Sequence, residues 1–195
     1  DTKGNIGWVP GGLAPIRPNW DGLLPVPGDG RYEWAGFLPG SQLPSSYNPP
    51  QGWFASANEM NIPAGYPYRE RKLGFEWPSR DRYNRLTEVL GAPGKRSLED
   101  SMRLQNDVLS FTARRAVTLL LNLRSPDSKT QAALTLLRNW DFVESTDSAA
   151  AALFEVWWSR YLGYLYKEVV LSKTAAATMG PPDPTALFSG LEQPH

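Results

Sequence analysis

Proline placement constrains this chain more than any other feature of its sequence. Eleven of its eighteen prolines lie within the first 67 residues. Because proline fixes φ and lacks an amide proton, long helices are excluded there, and short strands joined by tight turns are expected. We predict strands at residues 4–9, 31–37 and 53–57, with strands and turns continuing to residue 77.

Helical patterns begin after Trp77-Pro78. Residues 79–90 carry apolar side chains at helical spacing, followed by Gly91 and Pro93 as stop signals. A capping box at Ser97 predicts a helix to about residue 123. Two more helices are predicted at 129–139 and from 147 to about 169, and the last three should pack as an antiparallel layer.

Helical spacing also predicts which side chains of these helices are buried. In the second helix they are Met102, Val108, Leu109, Ala116, Leu119, Leu120 and Leu123, and in the fourth they are Phe154, Trp157, Trp158, Tyr161, Leu165 and Val169. Residues 172–195 lack a strong pattern and are predicted to form an irregular tail. The sequence therefore predicts an α+β protein, strand-rich over 1–78 and mainly helical over 79–171.

Charge and residue counts exclude several classes of function. Twenty basic and twenty acidic residues cancel, so nothing favours nucleic acid or an anionic membrane as a partner. The chain has no cysteine and one histidine, His195, which excludes disulfides, a zinc cluster and a Ser-His-Asp triad. No apolar run is long enough to span a membrane.

The residues around Asn58 are the strongest candidate for a functional site. Asn48-Pro49-Pro50-Gln51-Gly52 predicts a tight turn, and Asn58 follows the predicted strand 53–57. An amide at a strand end can donate a hydrogen bond to a substrate, because strand ends are where rigid scaffolds place chemistry. The same residue can instead serve as a turn asparagine that caps the strand.

The stretch 48–58 resembles a segment of the penicillin acylase family of N-terminal-nucleophile hydrolases, which has the form Asn-Pro-x-x-Gly-(aromatic)-(apolar)-Ala-x-x-Asn. Further blocks that match in order are Gly4-Asn5-Ile6-Gly7-Trp8, Leu24-Pro25-Val26-Pro27-Gly28, Tyr32-Glu33-Trp34-Ala35-Gly36-Phe37-Leu38-Pro39, Tyr66-Pro67, Arg82, Gln105-Asn106-Asp107-Val108 and Trp140-Asp141. The resemblance covers roughly residues 4–158.

This resemblance implies part of the large subunit of an amide-hydrolysing acylase with a four-layer αββα sandwich. In the family an N-terminal serine attacks the amide, its own α-amine acts as base, an asparagine donates to the oxyanion, and an arginine beside that asparagine helps to position the reacting centre. Those two roles fall on Asn58 and Arg82. Because this chain begins with Asp1, we expect the nucleophile on another chain of a processed precursor, in a periplasmic or secreted heterodimer.

The resemblance also implies a structural calcium ion between the family's subunits, bound by carboxylate and carbonyl oxygens. Its ligands here would be Glu70 and the carbonyl of Gly22, which follows Asp21. Glu70 stands among Arg69, Arg71 and Lys72, so a solvated surface carboxylate is an equally good interpretation.

Two alternatives remain from the residues themselves. Ser56 is two residues before Asn58, so both side chains should share one face of a strand, but no base is near and we reject it as the nucleophile. A non-catalytic carbohydrate or cell-wall binding module would instead display Trp8, Trp20, Trp34 and Trp53 as an exposed row. Burial of those rings would favour the acylase, whose substrate would be a small N-acyl amine.

Overall fold

The computed structural model describes residues 1–193, so His195 lies outside the described part. The chain forms two compact units, Asp1–Pro93 and Gly94–His195. The first contains mainly turns and extended segments, and the second is helical. The predicted α+β class and the helical character of 79–171 are confirmed.

A small antiparallel sheet stands at the start of the first unit. Strand β1, Gly7–Trp8, pairs with β2, Ser46–Tyr47, so the prediction of a strand at 4–9 is confirmed in its centre. The Trp8 ring stacks on Phe54 with centroids 4.9 Å apart. This contact connects the sheet to the segment that leads to Asn58.

The predicted strand at 31–37 is present only at its end. Phe37 forms a single antiparallel bridge with Pro15, and Ile16 N donates to the Gly36 carbonyl at 2.9 Å. Gly36 has φ of 109°, a conformation outside the β region, and Pro15 has no amide to donate. Both features prevent a longer ladder.

No strand is assigned to residues 53–57, where one was predicted. A strand needs a hydrogen-bonded neighbour, and within residues 1–193 none pairs with this backbone. The side chains nevertheless alternate as in a strand, since Ala55 and Ala57 are buried while Ser56 and Asn58 are exposed. The sequence pattern therefore predicted correctly which side chains are buried, but the predicted strand has no paired neighbour within residues 1–193.

The remaining regular elements of the described chain are helices. Helix α1 spans Asp81–Gly91 and ends the first unit, as predicted, after a 3-10 turn at Gly40–Gln42 earlier in that unit. The second unit contains α2 Leu98–Gln105, α3 Phe111–Leu120, α4 Ser128–Arg138, α5 Ala149–Trp157, a π-helical turn Trp158–Leu162, α6 Gly163–Val170, α7 Lys173–Thr178 and α8 Pro184–Glu192.

The core of the second unit surrounds Phe154, which is completely buried. Its ring stacks on Trp158 with centroids 5.8 Å apart and also contacts Trp140 and Trp157. The other buried members are Ala113, Ala116, Val117, Leu137, Ala150, Ala151 and Phe188. Small residues on α3 and α5 allow the aromatic rings to fill the space between the helices.

The predicted single helix over 97–123 is wrong, because the chain leaves the helix between α2 and α3. Asn106 Nδ2 donates to the Met102 carbonyl at 2.9 Å, and Asp107 Oδ1 accepts from Leu109 N at 3.0 Å. Such side-chain bonds compete with the helix backbone. As a result Met102 and Val108 are exposed, contrary to prediction, and so is Leu123 beyond α3.

The predicted long helix from 147 is confirmed, with Ser148 accepting from Ala151 N as its cap. The predicted burial of its apolar side chains is correct only in the first half of the helix. The π turn at Trp158–Leu162 widens the spacing, so later residues rotate away from the core face. Tyr161, Leu165 and Val169 are therefore exposed, contrary to prediction.

The prediction of an irregular tail over 172–195 is also wrong for its described residues, which form α7 and α8. Asp183 caps the start of helix α8, and its carboxylate accepts from the amides of Thr185 and Ala186. Pro184 is the first residue of the helix, where its missing amide proton costs nothing. Leu187 and Phe188 are buried, and Phe188 joins the core. The capping residues Asp183 and Pro184 are visible in the sequence, but too few residues follow them to show a helical periodicity of apolar side chains.

Glu144 is an unusual carboxylate in this helical unit. Its Oε1 is buried and has no hydrogen-bond partner among the described residues. Burial raises the pKa of Glu144, and the neighbouring Glu155 raises it further, while the Ser110 hydroxyl lowers it. Folding therefore shifts the Glu144 carboxyl toward its protonated form relative to the unfolded chain.

A pH-dependent stability follows from Glu144. Because its pKa is higher in the folded than in the unfolded chain, the free energy of unfolding should fall as pH rises through and above 4.5, its ordinary value. Glu144→Gln should reduce this dependence and raise stability at neutral pH. Denaturant unfolding at several pH values checks this, with exposed Glu168→Gln as control. An unchanged slope in Glu144→Gln would contradict it.

Candidate functional site

Asn58 lies at the end of the segment 53–57 in a left-handed conformation. Its φ is 60°, and its side chain is exposed beside buried Ala57. Asparagine is among the few residues that tolerate this conformation, because its short amide interacts with the local backbone. The conformation turns the chain and leaves the amide at the surface.

Arg82 determines the direction of the Asn58 amide. Its Nη2 donates to Asn58 Oδ1 at 2.7 Å and to the Ala57 carbonyl at 3.0 Å. A guanidinium can only donate, so Asn58 must present its oxygen to Arg82 and its NH₂ group elsewhere. Within the described chain that NH₂ group donates to no partner. It is a fixed hydrogen-bond donor available to another molecule.

Asn48 shows what a purely structural asparagine looks like in the same unit. It also has a positive φ, of 45°, but both ends of its amide are used internally. Its Oδ1 accepts from Ile6 N at 2.9 Å, and its Nδ2 donates to Asn5 Oδ1 at 2.8 Å. Asn58 differs from Asn48 in one respect, because its Nδ2 donates to no acceptor within residues 1–193.

Helix α1 brings Arg82 to this position. Arg82 is the second residue of the helix and is exposed, as its place in the predicted first turn required. A cation there opposes the positive end of the helix dipole. Its bonds to the oxygens of Asn58 and Ala57 offset that cost, which explains an arginine at this position.

Ser56 does not have the surroundings of a nucleophile. It is exposed on the same side as Asn58, and its hydroxyl accepts from Asn61 Nδ2 at 3.3 Å. An amide cannot remove a proton from a hydroxyl group. The structure therefore agrees with rejecting Ser56.

Glu59 is a feature that sequence reasoning missed. Its side chain is 2% exposed, and Arg80 Nε lies 3.6 Å from its Oε2, which has no hydrogen-bond partner in residues 1–193. Burial raises the pKa of Glu59, and the charge of Arg80 opposes this rise. Alternation from Ala55 and Ala57 would have assigned it to the buried face, despite its charge.

Two side-chain contacts, one hydrogen bond and one ion pair, join the residues after segment 53–57 to the start of α1. Asn58 meets Arg82, and the next residue, Glu59, meets Arg80, two positions before Arg82. The Arg80 guanidinium also lies over the Tyr83 ring, 5.0 Å from its centroid. The end of segment 53–57 is thus attached to the start of α1 through adjacent side chains.

The two predicted calcium ligands lie at the surface, and Arg17 is close to one of them. Glu70 and Gly22 are both exposed, and a Cβ at Gly22 would lie 3.4 Å from the Arg17 guanidinium nitrogen Nε. In residues 1–193 no group of three or more acidic, histidine or cysteine side chains could bind a metal ion. Calcium binding by Glu70 and Gly22 stays a prediction.

The tryptophans do not form the exposed row that a binding module would show. Of the four, Trp34 is exposed at 54%, whereas Trp8, Trp20 and Trp53 are partly buried. In addition, none of the helices described over residues 1–193 is long and apolar enough to cross a membrane.

Comparisons with known proteins agree with the resemblance. The family model described as penicillin amidase matches residues 1–189. An acyl-homoserine lactone acylase QuiP of Pseudomonas syringae is 33% identical over 78% of this chain, and a penicillin G acylase of Escherichia coli is 30% identical over 80%. The chain spans about a fifth of the length of each relative, at 20%.

A solved structure supports the same conclusion about the fold. The thermostable penicillin G acylase of Alcaligenes faecalis aligns with a TM-score of 0.65 and 29% identity, covering 94% of this chain and 36% of that one. Its fold is that of the N-terminal-nucleophile hydrolases, so the predicted fold class is confirmed. With the family model matching nearly its whole length, the chain belongs to the penicillin amidase family.

Proposed function

We propose that this chain is part of an amide-hydrolysing acylase in which Asn58 stabilises the oxyanion. The observation that carries this proposal is the hydrogen bond from Arg82 to Asn58 Oδ1, at 2.7 Å. It leaves the Asn58 NH₂ group as a donor with no acceptor within residues 1–193. A fixed donor of this kind stabilises negative charge without reorganising during the reaction.

In the proposed reaction a hydroxyl at another chain's N-terminus attacks the amide carbonyl, and its α-amine takes the proton. The carbonyl oxygen becomes negative as the C–O bond forms, and Asn58 Nδ2 donates to that oxygen. The carbonyl then reforms as the amine leaves with the proton, and water hydrolyses the acyl-enzyme. The chain's part is the donor and its orientation by Arg82.

N-acyl compounds are the proposed substrate class. The relatives are named for an acyl-homoserine lactone and for penicillin G, which share an acylated amine. Asn58 contacts only the reacting carbonyl oxygen in this proposal, so it fits either kind of substrate. Which acyl group is accepted depends on other parts of the enzyme, which we place in the periplasm or outside the cell.

The partner that we propose is another chain of the same precursor, carrying the nucleophile. Support comes from the relatives, of whose length this chain spans about a fifth, and from its exposed apolar side chains. The most exposed are Val169, Leu98, Leu13, Leu24 and Tyr47. Where exposed apolar side chains form one contiguous patch, they mark a surface that another protein covers.

Substitutions of Asn58 test the oxyanion role in the processed, full-length acylase. Asn58→Asp keeps an acceptor for Arg82 but loses the donor, and Asn58→Gly keeps the left-handed backbone but loses the amide. Both should lower kcat by roughly 10² to 10³, about 3 to 4 kcal/mol, with much smaller changes in KM. Steady-state kinetics and melting temperatures should be measured on the same preparations.

Asn48→Gly is the matched control for these variants. It should lose two internal hydrogen bonds, each worth about 1 kcal/mol, and therefore lower stability while leaving kcat near wild type. If Asn58→Gly behaved like Asn48→Gly, with a lower melting temperature and normal kcat, Asn58 would be a turn residue and the oxyanion role would be wrong.

Arg82 is proposed to position Asn58, and its removal should also reduce kcat. Arg82→Ala frees the amide to rotate, and a misplaced catalytic group can cost up to about 10² in rate. Added guanidinium ion, below denaturing concentration, should restore part of the activity of Arg82→Ala and none of the activity of Asn58→Asp. If Arg82→Ala had a normal kcat that added guanidinium ion did not change, the positioning role would be wrong.

The partner proposal predicts that the isolated chain exposes apolar surface. Expressed alone, it should bind a hydrophobic dye and form polydisperse assemblies, whereas the processed full-length acylase should do neither. Dye fluorescence and light scattering measure both properties. An isolated chain that is monodisperse, melts cooperatively and does not bind the dye would show that no partner is needed.

A further inference from the structure

Lys72 connects two distant segments of the first unit through backbone oxygens. Its Nζ donates to the carbonyl of Arg17 at 2.6 Å and to that of Pro18 at 3.1 Å. In return, Arg17 Nη1 donates to the carbonyl of Lys72 at 3.0 Å. Each cationic side chain therefore binds the backbone of the other's segment, across 55 residues of sequence.

The backbone at Lys72 indicates that this arrangement is specifically stabilised. Its φ is 52°, in the left-handed region that lysine rarely adopts, and its side chain is partly buried. A non-glycine residue in this region persists only when its surroundings compensate the cost. Three hydrogen bonds that involve charged donors supply that compensation.

Arg17 occupies the space beside Gly22, the predicted source of a calcium ligand. Its Nε would lie 3.4 Å from a Cβ at Gly22, and its guanidinium carbon lies 5.6 Å from the Trp20 ring centroid. The Nε atom is buried and has no hydrogen-bond partner in residues 1–193. A positive group therefore lies beside Gly22, one of the two residues for which the resemblance predicted a calcium ligand.

We propose that the Lys72 ammonium and the Arg17 guanidinium replace the predicted calcium ion in this chain. Calcium would be bound by hard oxygens such as backbone carbonyls, and here an ammonium binds those of Arg17 and Pro18. A divalent ion beside Gly22 would be repelled by both cations.

The nearby acidic residues fit this replacement. A cavity at this point is lined by Asp21 and Glu76 together with Arg17 and Lys72, so the two negative charges are matched by the two positive ones. No surplus negative charge remains in the cavity to attract a free cation. The proposal concerns only this location and is independent of the oxyanion role of Asn58.

The test uses the processed, full-length acylase and its melting temperature, with excess calcium chloride or with a chelator. Lys72→Asn removes the ammonium, yet asparagine tolerates the left-handed backbone. It should lower the melting temperature by a few degrees, whereas Lys95→Asn, at an exposed lysine, should not. Glu70→Gln should have no effect, with or without calcium.

Two results would overturn the replacement. One is a calcium-dependent rise in melting temperature that Glu70→Gln abolishes, because any ion bound to the folded state must stabilise it. The other is a Lys72→Asn variant as stable as wild type. A calcium effect that is equal in wild type, Glu70→Gln and Lys72→Asn would place the ion elsewhere and support the proposal.

Discussion

The hydrogen bond between Arg82 and Asn58 is the interaction on which the candidate site depends. It orients an amide that would otherwise rotate, and it attaches the start of α1 to the end of segment 53–57. The orientation follows from the chemistry of the guanidinium, which has donors and no acceptor. Asn48, with both ends of its amide satisfied internally, shows that the same residue type and backbone conformation alone do not create a site.

Segment 53–57 has the side-chain pattern of a strand without a paired strand. Its side chains alternate as in a strand, but its backbone has no pairing partner within residues 1–193. The chain aligns with 36% of the Alcaligenes faecalis enzyme, in which this region is part of a larger fold. Pairing of the segment with strands from another chain of the precursor would satisfy its backbone, in agreement with the proposed assembly.

Lysine side chains act as internal connectors in both units. Lys72 binds two carbonyls in the first unit, and in the second Lys167 Nζ donates to the carbonyls of Ala176 and Met179, each at 2.8 Å. An ammonium group can satisfy several carbonyl oxygens at the end of a helix or loop because it carries three donors. Such bonds let short segments be held in place with little apolar burial.

The sequence by itself determined what depends on neighbouring residues: a proline-rich, turn-rich first part, the helix caps at Ser97 and Ser148, and the family motif ending at Asn58. Tertiary structure decided what depends on distant partners. The bridge between Leu109 and Val143 and the ion pair of buried Glu59 with Arg80 both join residues that are far apart in the sequence. Periodicity records which face a residue occupies, whereas hydrogen-bond partners and buried charges arise only when the chain folds.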